Sequence, residues 1–180
     1  GLGRGLPLRA DWRGAVLMMH RVRPAGTGAF RPNRHLEITP GFLDDVLERL
    51  SQMRIPVVCL EEAADRLARG CTDRFAALTF DDGYRDNLVH AAPVMRRHGV
   101  PFTVFVATGM VDASANAWWM TLEEIVAAAT TTDARPAGCG LLDTRDAKRK
   151  TAAFDTLVRA MWRFDEPGRD RAIREMADRH

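Results

Sequence analysis

Cysteine is scarce in this sequence. The three cysteines are Cys59, Cys71 and Cys139, an odd number, and no two of them are separated by two residues. Zinc knuckles and disulfide frameworks need cysteines in pairs at short, regular spacings. The cysteine pattern therefore argues against both kinds of site.

Long hydrophobic runs and a strong charge of one sign are also missing. The formal net charge is +2 over 180 residues, which is too small to indicate a polyanionic partner such as nucleic acid. No apolar run approaches the length that crosses a membrane, and the N-terminal residues lack the apolar core of a signal peptide. The default expectation is a cytoplasmic protein with no nucleic-acid partner and no membrane span. The cell envelope is the alternative, because the sequence begins with glycine instead of methionine.

The first part of the sequence alternates between short apolar runs and amphipathic segments. Apolar runs predict strands at 15–19, 56–60, 75–80 and 102–107, and helical periodicity predicts helices at 40–53, 61–69 and 88–98. Thr39 is the predicted N-cap of the first helix, and Gly70 is predicted to end the second. Strands that alternate with helices are typical of a parallel sheet or barrel, so the predicted fold class is α/β.

The alternation stops after Gly109. The later pattern predicts helices at 121–129, 147–164 and 167–179, with a loop at 130–140. Helices without an intervening strand indicate an insertion instead of further β/α units. We therefore expect two parts, with the β/α units in residues 1–111 and a mainly helical insertion or cap in residues 112–180.

The most informative segment is the apolar run at 75–80, which is followed directly by Asp81, Asp82 and Gly83. A glycine after a buried strand lets the backbone turn, and the carboxyl ends of parallel strands are where ligands and catalytic groups gather. Two carboxylates at such a point indicate a metal site, an acid/base site, or both. Asp-Asp-Gly is also ordinary turn chemistry, and the spacing alone leaves the turn and the site equally open.

The hexapeptide Thr79-Phe80-Asp81-Asp82-Gly83-Tyr84 resembles the signature of the polysaccharide deacetylases, the NodB-homology domain of carbohydrate esterase family 4. The similarity continues through Arg85-Asp86-Asn87, Ala92-Pro93, His98-Gly99-Val100-Pro101 and residues 102–109. His20 resembles the histidine that closes the family's first barrel strand, with Met19 in place of the family's tyrosine. The resemblance implies the N-terminal part of a distorted (β/α) barrel with a C-terminal helical insertion.

The same resemblance implies a function. Members of this family are metal-dependent hydrolases that remove N-acetyl groups from a carbohydrate, so the expected partner is an N-acetylated polysaccharide or glycolipid sugar. In the family pattern Asp82 would be a metal ligand, and Asp81 would be the general base. The implied cofactor is a divalent metal, zinc first, with cobalt, nickel or iron as alternatives.

One part of the family pattern is missing. The family's other two ligands are histidines in an H-(S/T)-x-x-H segment, and none of the five histidines of this sequence has that spacing. The family's arginine motif and late general-acid histidine are absent as well. An open catalytic metal site needs about three protein ligands. We therefore expect these 180 residues alone to be inactive.

Two explanations account for this departure. Either the missing motifs follow His180, or the protein is a metal-free relative that binds glycans. The first is favoured, because four predicted strands cannot close a barrel that needs about seven or eight. Magnesium-dependent phosphoryl transfer is a minor alternative. Haloacid-dehalogenase-like enzymes of this kind need Asp-x-Asp, and Asp81-Asp82 lacks that spacing. A glycosidase is disfavoured, because its two carboxylates usually come from different segments.

Three further side chains are candidates for substrate binding. His20, at the end of a predicted strand, would contact the substrate or groups beside it, and a purely structural role is equally open. Trp118 and Trp119 follow the fourth predicted strand and would stack on a sugar ring. Packing within the helical segment is the alternative for this pair, because aromatic side chains dominate protein cores.

Overall fold

The computed structural model describes residues 12–180, and the first eleven residues, which the predicted 1–111 part includes, lie outside the described residues. The protein has a mixed α/β fold with a parallel sheet. Its contacts define two compact units, one formed by residues 12–25 and Leu36–Ala107 and the other by Gly26–His35 and Thr108–His180. Among residues 12–180, no helix is both long and apolar enough to span a membrane.

A three-stranded parallel sheet forms the centre of the first unit. Its strands are β1 (Gly14–Met19), β4 (Phe75–Phe80) and β5 (Thr103–Val104), and two short strands, β2 (Arg21–Val22) and β3 (Glu37–Ile38), pair separately. β4 is the middle strand and is buried along its whole length, as its unbroken apolar run predicts. It pairs with β1 in a register that runs from Gly14 opposite Phe75 to Met19 opposite Phe80.

Two of the predicted strands are corrected by the structure. The segment predicted as a strand at 56–60 makes only an isolated parallel bridge between Val57 and Ala76, because the chain enters a helix at Leu60. The strand predicted at 102–107 is reduced to the two residues of β5, and its last ladder bond runs from the Phe105 amide to the Phe80 carbonyl at 2.8 Å. Both segments lie along the same edge of β4, and β1 lies along the other. The described strands form an open sheet and do not show the predicted barrel.

Three helices pack on this sheet. They are α1 (Pro40–Gln52), α2 (Leu60–Ala68) and α3 (Ala92–His98), and a π-helix, Asn87–Ala91, precedes α3. The predicted N-cap of α1 is confirmed, since the Thr39 side chain accepts a bond from the Phe42 amide at 3.0 Å. The π-helix has a local cause. Pro93 has no amide hydrogen to donate, and the Ala92 amide bonds back to the Asn87 carbonyl five residues earlier.

The core of the first unit lies between β4 and the helices. One group of buried side chains joins the sheet to α1 and α3: Val22, Leu43, Leu47, Leu78, Phe80, Ala91, Val94 and Met95. A smaller group lies around α2: Val58, Ala63, Phe75 and Ala77. Val16 and Met18 on β1 are more than half exposed, which agrees with an edge strand of an open sheet.

The second unit is mainly helical. Its helices are α4 (Thr108–Val111), α5 (Trp118–Ala128), α6 (Ala147–Met161) and α7 (Glu166–Ala177). The segment predicted as a loop at 130–140 is instead part of an antiparallel hairpin of β6 (Thr131–Asp133) and β7 (Leu141–Asp143). These strands escaped prediction because each has only three residues, and β6 is polar throughout. Inside the hairpin, the buried hydroxyls of Thr132 and Thr144 lie 3.3 Å apart and hydrogen-bond each other.

Candidate functional site

Asp81 and Asp82 lie at the carboxyl end of β4, where the sequence predicts them. The Asp81 amide donates to the Met19 carbonyl at 2.9 Å and so continues the ladder between β4 and β1 by one residue. Asp82 then has φ +69° and Gly83 has φ +72°. Two successive residues in the left-handed region reverse the chain sharply, and aspartate is among the few non-glycine residues that tolerate this conformation. The turn is therefore encoded by Asp-Asp-Gly itself.

Gly83 is required at this turn for a second reason, which is close packing. A Cβ atom at this position would lie 3.1 Å from Val106 Cγ1 and 3.3 Å from Val106 Cα. Val106 follows β5, so the turn after β4 is packed against the backbone after the neighbouring strand. A side chain at residue 83 would therefore require the two segments to shift by a few tenths of an ångström.

His20 and Asp82 are brought together by the strand register. His20 follows β1 directly, and because Met19 lies opposite Phe80, the next residues of the two chains emerge side by side. His20 Nδ1 lies 3.3 Å from Asp82 Oδ2. Their side chains are 26% and 22% exposed, so the pair is partly shielded but reachable by a solute. The structure thus joins two residues that the sequence named separately.

A second contact, which the sequence analysis did not identify, joins the same two segments. Arg21 Nε donates to Asp86 Oδ2 at 2.8 Å, and the Val22 amide donates to Asp86 Oδ1 at 3.2 Å. The Arg21 guanidinium also lies over the Tyr84 ring, 4.7 Å from its centroid. No spacing rule connects residues 21 and 86, because the contact depends on how β2 lies beside the turn.

Asn87 is the other residue near the turn that sequence reasoning missed. Its relative exposure is 3%, and within the described part of the chain neither amide atom of its side chain has a hydrogen-bond partner. Its backbone amide donates to the Tyr84 carbonyl at 2.9 Å. A buried amide without partners is rare in a folded protein, and this one lies at the start of the π-helix.

The described residues do not supply a complete metal centre. Within residues 12–180, no three His, Cys, Asp or Glu side chains are grouped so that they could hold a metal ion. His20 and Asp82 are two potential ligands that contact each other, and an open catalytic site needs about three. The side chains present therefore do not fit a catalytic metal ion without ligands from other residues.

The two candidate tryptophans belong to the second unit. Trp118 is 7% exposed and lies in that unit's hydrophobic core, whereas Trp119 is partly buried against it. Their rings meet edge to face at 6.0 Å. Trp162 lies just past the end of α6 at Met161 and is 67% exposed. Its ring is supported by Trp118 at 5.7 Å and by the Arg169 guanidinium at 5.2 Å.

One ion-pair cluster lies at the opposite end of α3 from the turn. His98 Nε2 and Arg97 Nη2 lie 2.6 and 2.7 Å from Asp44 Oδ1. The hydrogen bond from His98, followed by that from Arg97, lowers the pKa of Asp44 from its ordinary value of 3.8. This cluster joins the C-terminus of α3 to α1 and contains none of the candidate site residues.

A cavity of about 510 Å³ lies along α7, lined by residues that include Glu166, Asp170 and Arg174. It too contains none of the candidate site residues. The candidate site at the end of β4 therefore lies outside this cavity.

The sequence model of a family described as polysaccharide deacetylase matches residues 69–134, which include β4, the Asp-Asp-Gly turn, α3 and β5. No curated protein matches.

Solved structures of three proteins are similar at low identity. A de-N-acetylase from Aggregatibacter actinomycetemcomitans is 20% identical with a TM-score of 0.46, over 56% of this chain and 39% of that one. The deacetylase PplD of Streptococcus pyogenes, in complex with acetate, is 16% identical with a TM-score of 0.48, over 94% and 80%. IcaB of Ammonifex degensii is 21% identical with a TM-score of 0.47, over 91% and 80%. This chain thus spans well under half of the first structure.

Proposed function

Since residues 69–134 belong to the polysaccharide deacetylase family, as the sequence resemblance predicted, we propose that this protein takes part in removing N-acetyl groups from a carbohydrate. The observation that carries the proposal is the pairing of His20 with Asp82, directly beside Asp81, at the carboxyl end of the buried strand β4. The Asp-Asp-Gly turn lies inside the matched segment, and its strained backbone is typical of functional sites.

The two aspartates have different proposed roles. Asp81 would act as the general base that accepts a proton from the attacking water, a role that needs only hydrogen-bond reach. Asp82 would be one ligand of a divalent metal, most simply zinc. Such a metal, when bound, acidifies water and polarises the amide carbonyl. His20 would contact the substrate or the groups beside it, which include Asp82, whose Oδ2 lies 3.3 Å from His20 Nδ1.

The remaining metal ligands must come from residues other than those described. We propose an H-(S/T)-x-x-H segment encoded beyond His180, which reading the coding sequence will test. If no such segment exists, the metal-free glycan-binding alternative replaces the enzyme. Of the two tryptophans, only Trp119 is carried forward as a proposed sugar contact, because Trp118 has 7% of its surface exposed.

The proposal is tested on the full-length protein by metal analysis together with acetate release from an N-acetylated glucosamine oligomer. Asp81→Asn is expected to keep its metal and lose acetate release, whereas Asp82→Ala is expected to lose both. Asp45→Asn is the matched control, because this carboxylate is exposed on α1 and is proposed neither as the general base nor as a metal ligand. A normal metal content in Asp82→Ala would refute the ligand role. Glycan binding without metal or acetate release would favour the glycan-binding alternative, and magnesium-dependent phosphate release would favour phosphoryl transfer.

A further inference from the structure

The residues that follow His20 and Asp82 are joined by a contact of their own. Arg21 is the next residue after His20, and Asp86 lies four residues after Asp82. Both carboxylate oxygens of Asp86 are engaged, one by the Arg21 side chain at 2.8 Å and one by the Val22 amide at 3.2 Å. Asp86 therefore holds both the backbone and a side chain of the segment that begins with His20.

This contact is shielded from water. The side chains of Arg21 and Asp86 are 18% and 12% exposed, so their attraction is screened less than that of a surface pair. The Arg21 guanidinium is held further by the face of Tyr84, 4.7 Å from the ring centroid. Tyr84 lies in the turn itself, two residues after Asp82. The turn and the end of β1 are thus joined through three side chains.

We infer that Arg21 and Asp86 form a positioning pair that sets the placement of His20 relative to Asp82, an inference that rests on the proposed function for its catalytic meaning. The His20–Asp82 contact is long, at 3.3 Å, and so constrains its two residues only weakly. Beyond the ladder bond from the Asp81 amide to the Met19 carbonyl, the two bonds to Asp86 hold the residues that follow these strands together. Groups that orient ligating or catalytic side chains typically change affinity or activity by about 10–100-fold when removed.

The same unit offers a matched control. Asp44 accepts a charged hydrogen bond from Arg97 at 2.7 Å, an arginine–aspartate contact like that between Arg21 and Asp86 but more exposed to water. Residues 87–98, about 12–18 Å of helix, separate Asp86 from that cluster. Asp44→Asn therefore removes a comparable ion pair without touching the turn.

The test uses the full-length protein without metal, at one fixed pH. Two-dimensional NMR reports the ring signals of His20 and the backbone amide signals of Asp82 and Gly83. Asp86→Asn is expected to shift all three, whereas Asp44→Asn is expected to leave them in place. In the metal-loaded protein, Asp86→Asn is expected to lower kcat by about 10–100-fold with little change in KM, and Asp44→Asn to change neither.

Conservative substitution separates positioning from mere stability. Arg21→Met keeps the aliphatic stem but loses the donors, so it is expected to reproduce the shifts of Asp86→Asn. Arg21→Lys keeps the charge and is expected to restore the His20 and Asp82 signals in part. If Asp86→Asn fails to fold, Arg21→Met decides the question. Unchanged His20 and Asp82 signals in a folded variant would overturn the inference. Shifted signals in a protein whose parent releases no acetate would leave the positioning pair standing and refute the proposed function.

Discussion

Substitution of Gly83 by alanine is the most direct test of how the turn after β4 is built. Two physical effects oppose a side chain at this position. The backbone has φ +72°, and a Cβ atom would lie 3.1 Å from Val106 Cγ1 and 3.3 Å from Val106 Cα. The second of these contacts is to backbone, so it cannot be relieved by rotating a side chain.

The two effects can be given separate magnitudes. Holding a non-glycine residue in the left-handed region costs roughly 1–2 kcal/mol. Overpacking costs about 1–3 kcal/mol in a core, and the low end of that range applies here because Val106 is 51% exposed. We therefore expect Gly83→Ala to lower the free energy of unfolding by about 3 kcal/mol. For a chain of this size each kcal/mol lowers Tm by about 2–4 °C, so the expected loss is about 6–12 °C.

Gly70 provides the matched control for this experiment. It has φ +69°, and a Cβ atom built there meets nothing within 4 Å. Gly70→Ala should therefore show the backbone cost alone, about 1–2 kcal/mol. Urea denaturation of both variants measures the difference, and adding Val106→Ala to Gly83→Ala should recover part of the loss. Equal losses for the two glycines would refute the packing argument.

Three further predictions concern the rest of the first unit. Gly14→Ala should be strongly destabilising in urea denaturation, because its Cβ would lie 2.3 Å from Phe75 Cζ, and an unchanged midpoint would contradict this packing. Thr39→Ala should lower the free energy of unfolding by about 1 kcal/mol in the same assay, because the α1 N-cap is lost. Thr39→Ser should retain most of the stabilisation from the cap. The pKa of Asp44 is lowered from 3.8, mainly by the hydrogen bond from His98. The ionised carboxylate therefore stabilises the fold above pH 3.8, and this stabilisation is lost as the pH falls below that value. The Tm difference between the parent and Asp44→Asn should therefore shrink on acidification, and a difference that grows would contradict the sign.

Local chemistry was sufficient to predict several elements. β4 was predicted with its observed bounds, because an unbroken apolar run followed by Asp-Asp-Gly admits few other structures. The start of α1 was predicted from Thr39 and Pro40, whose side chains act within one turn of the helix.

The segment at 56–60 shows where local chemistry fails. Its apolar residues are compatible with a strand, but only the bridge between Val57 and Ala76 forms, since the chain enters α2 at Leu60. For the hairpin of β6 and β7 the prediction fails in the opposite way, because strands form where a loop was predicted. Its three-residue strands, Thr-Thr-Asp and Leu-Leu-Asp, are too short to show a period, and pairing with each other is what makes them strands.

The candidate site likewise combines residues that the local sequence identifies with contacts that only the tertiary structure shows. Asp81, Asp82 and Gly83 could be identified from the sequence, because a sharp acidic turn after a buried strand depends only on neighbouring residues. The contact of His20 with Asp82 and that of Arg21 with Asp86 span 62 and 65 residues, and the parallel register of β1 with β4 is what brings these segments together. The exposure of Trp162 likewise depends on where α6 ends and what packs beside it. The sequence by itself thus determined the chemistry of the turn, and only the tertiary structure decided which distant side chains surround it, because pairing between strands is set by packing of the whole unit.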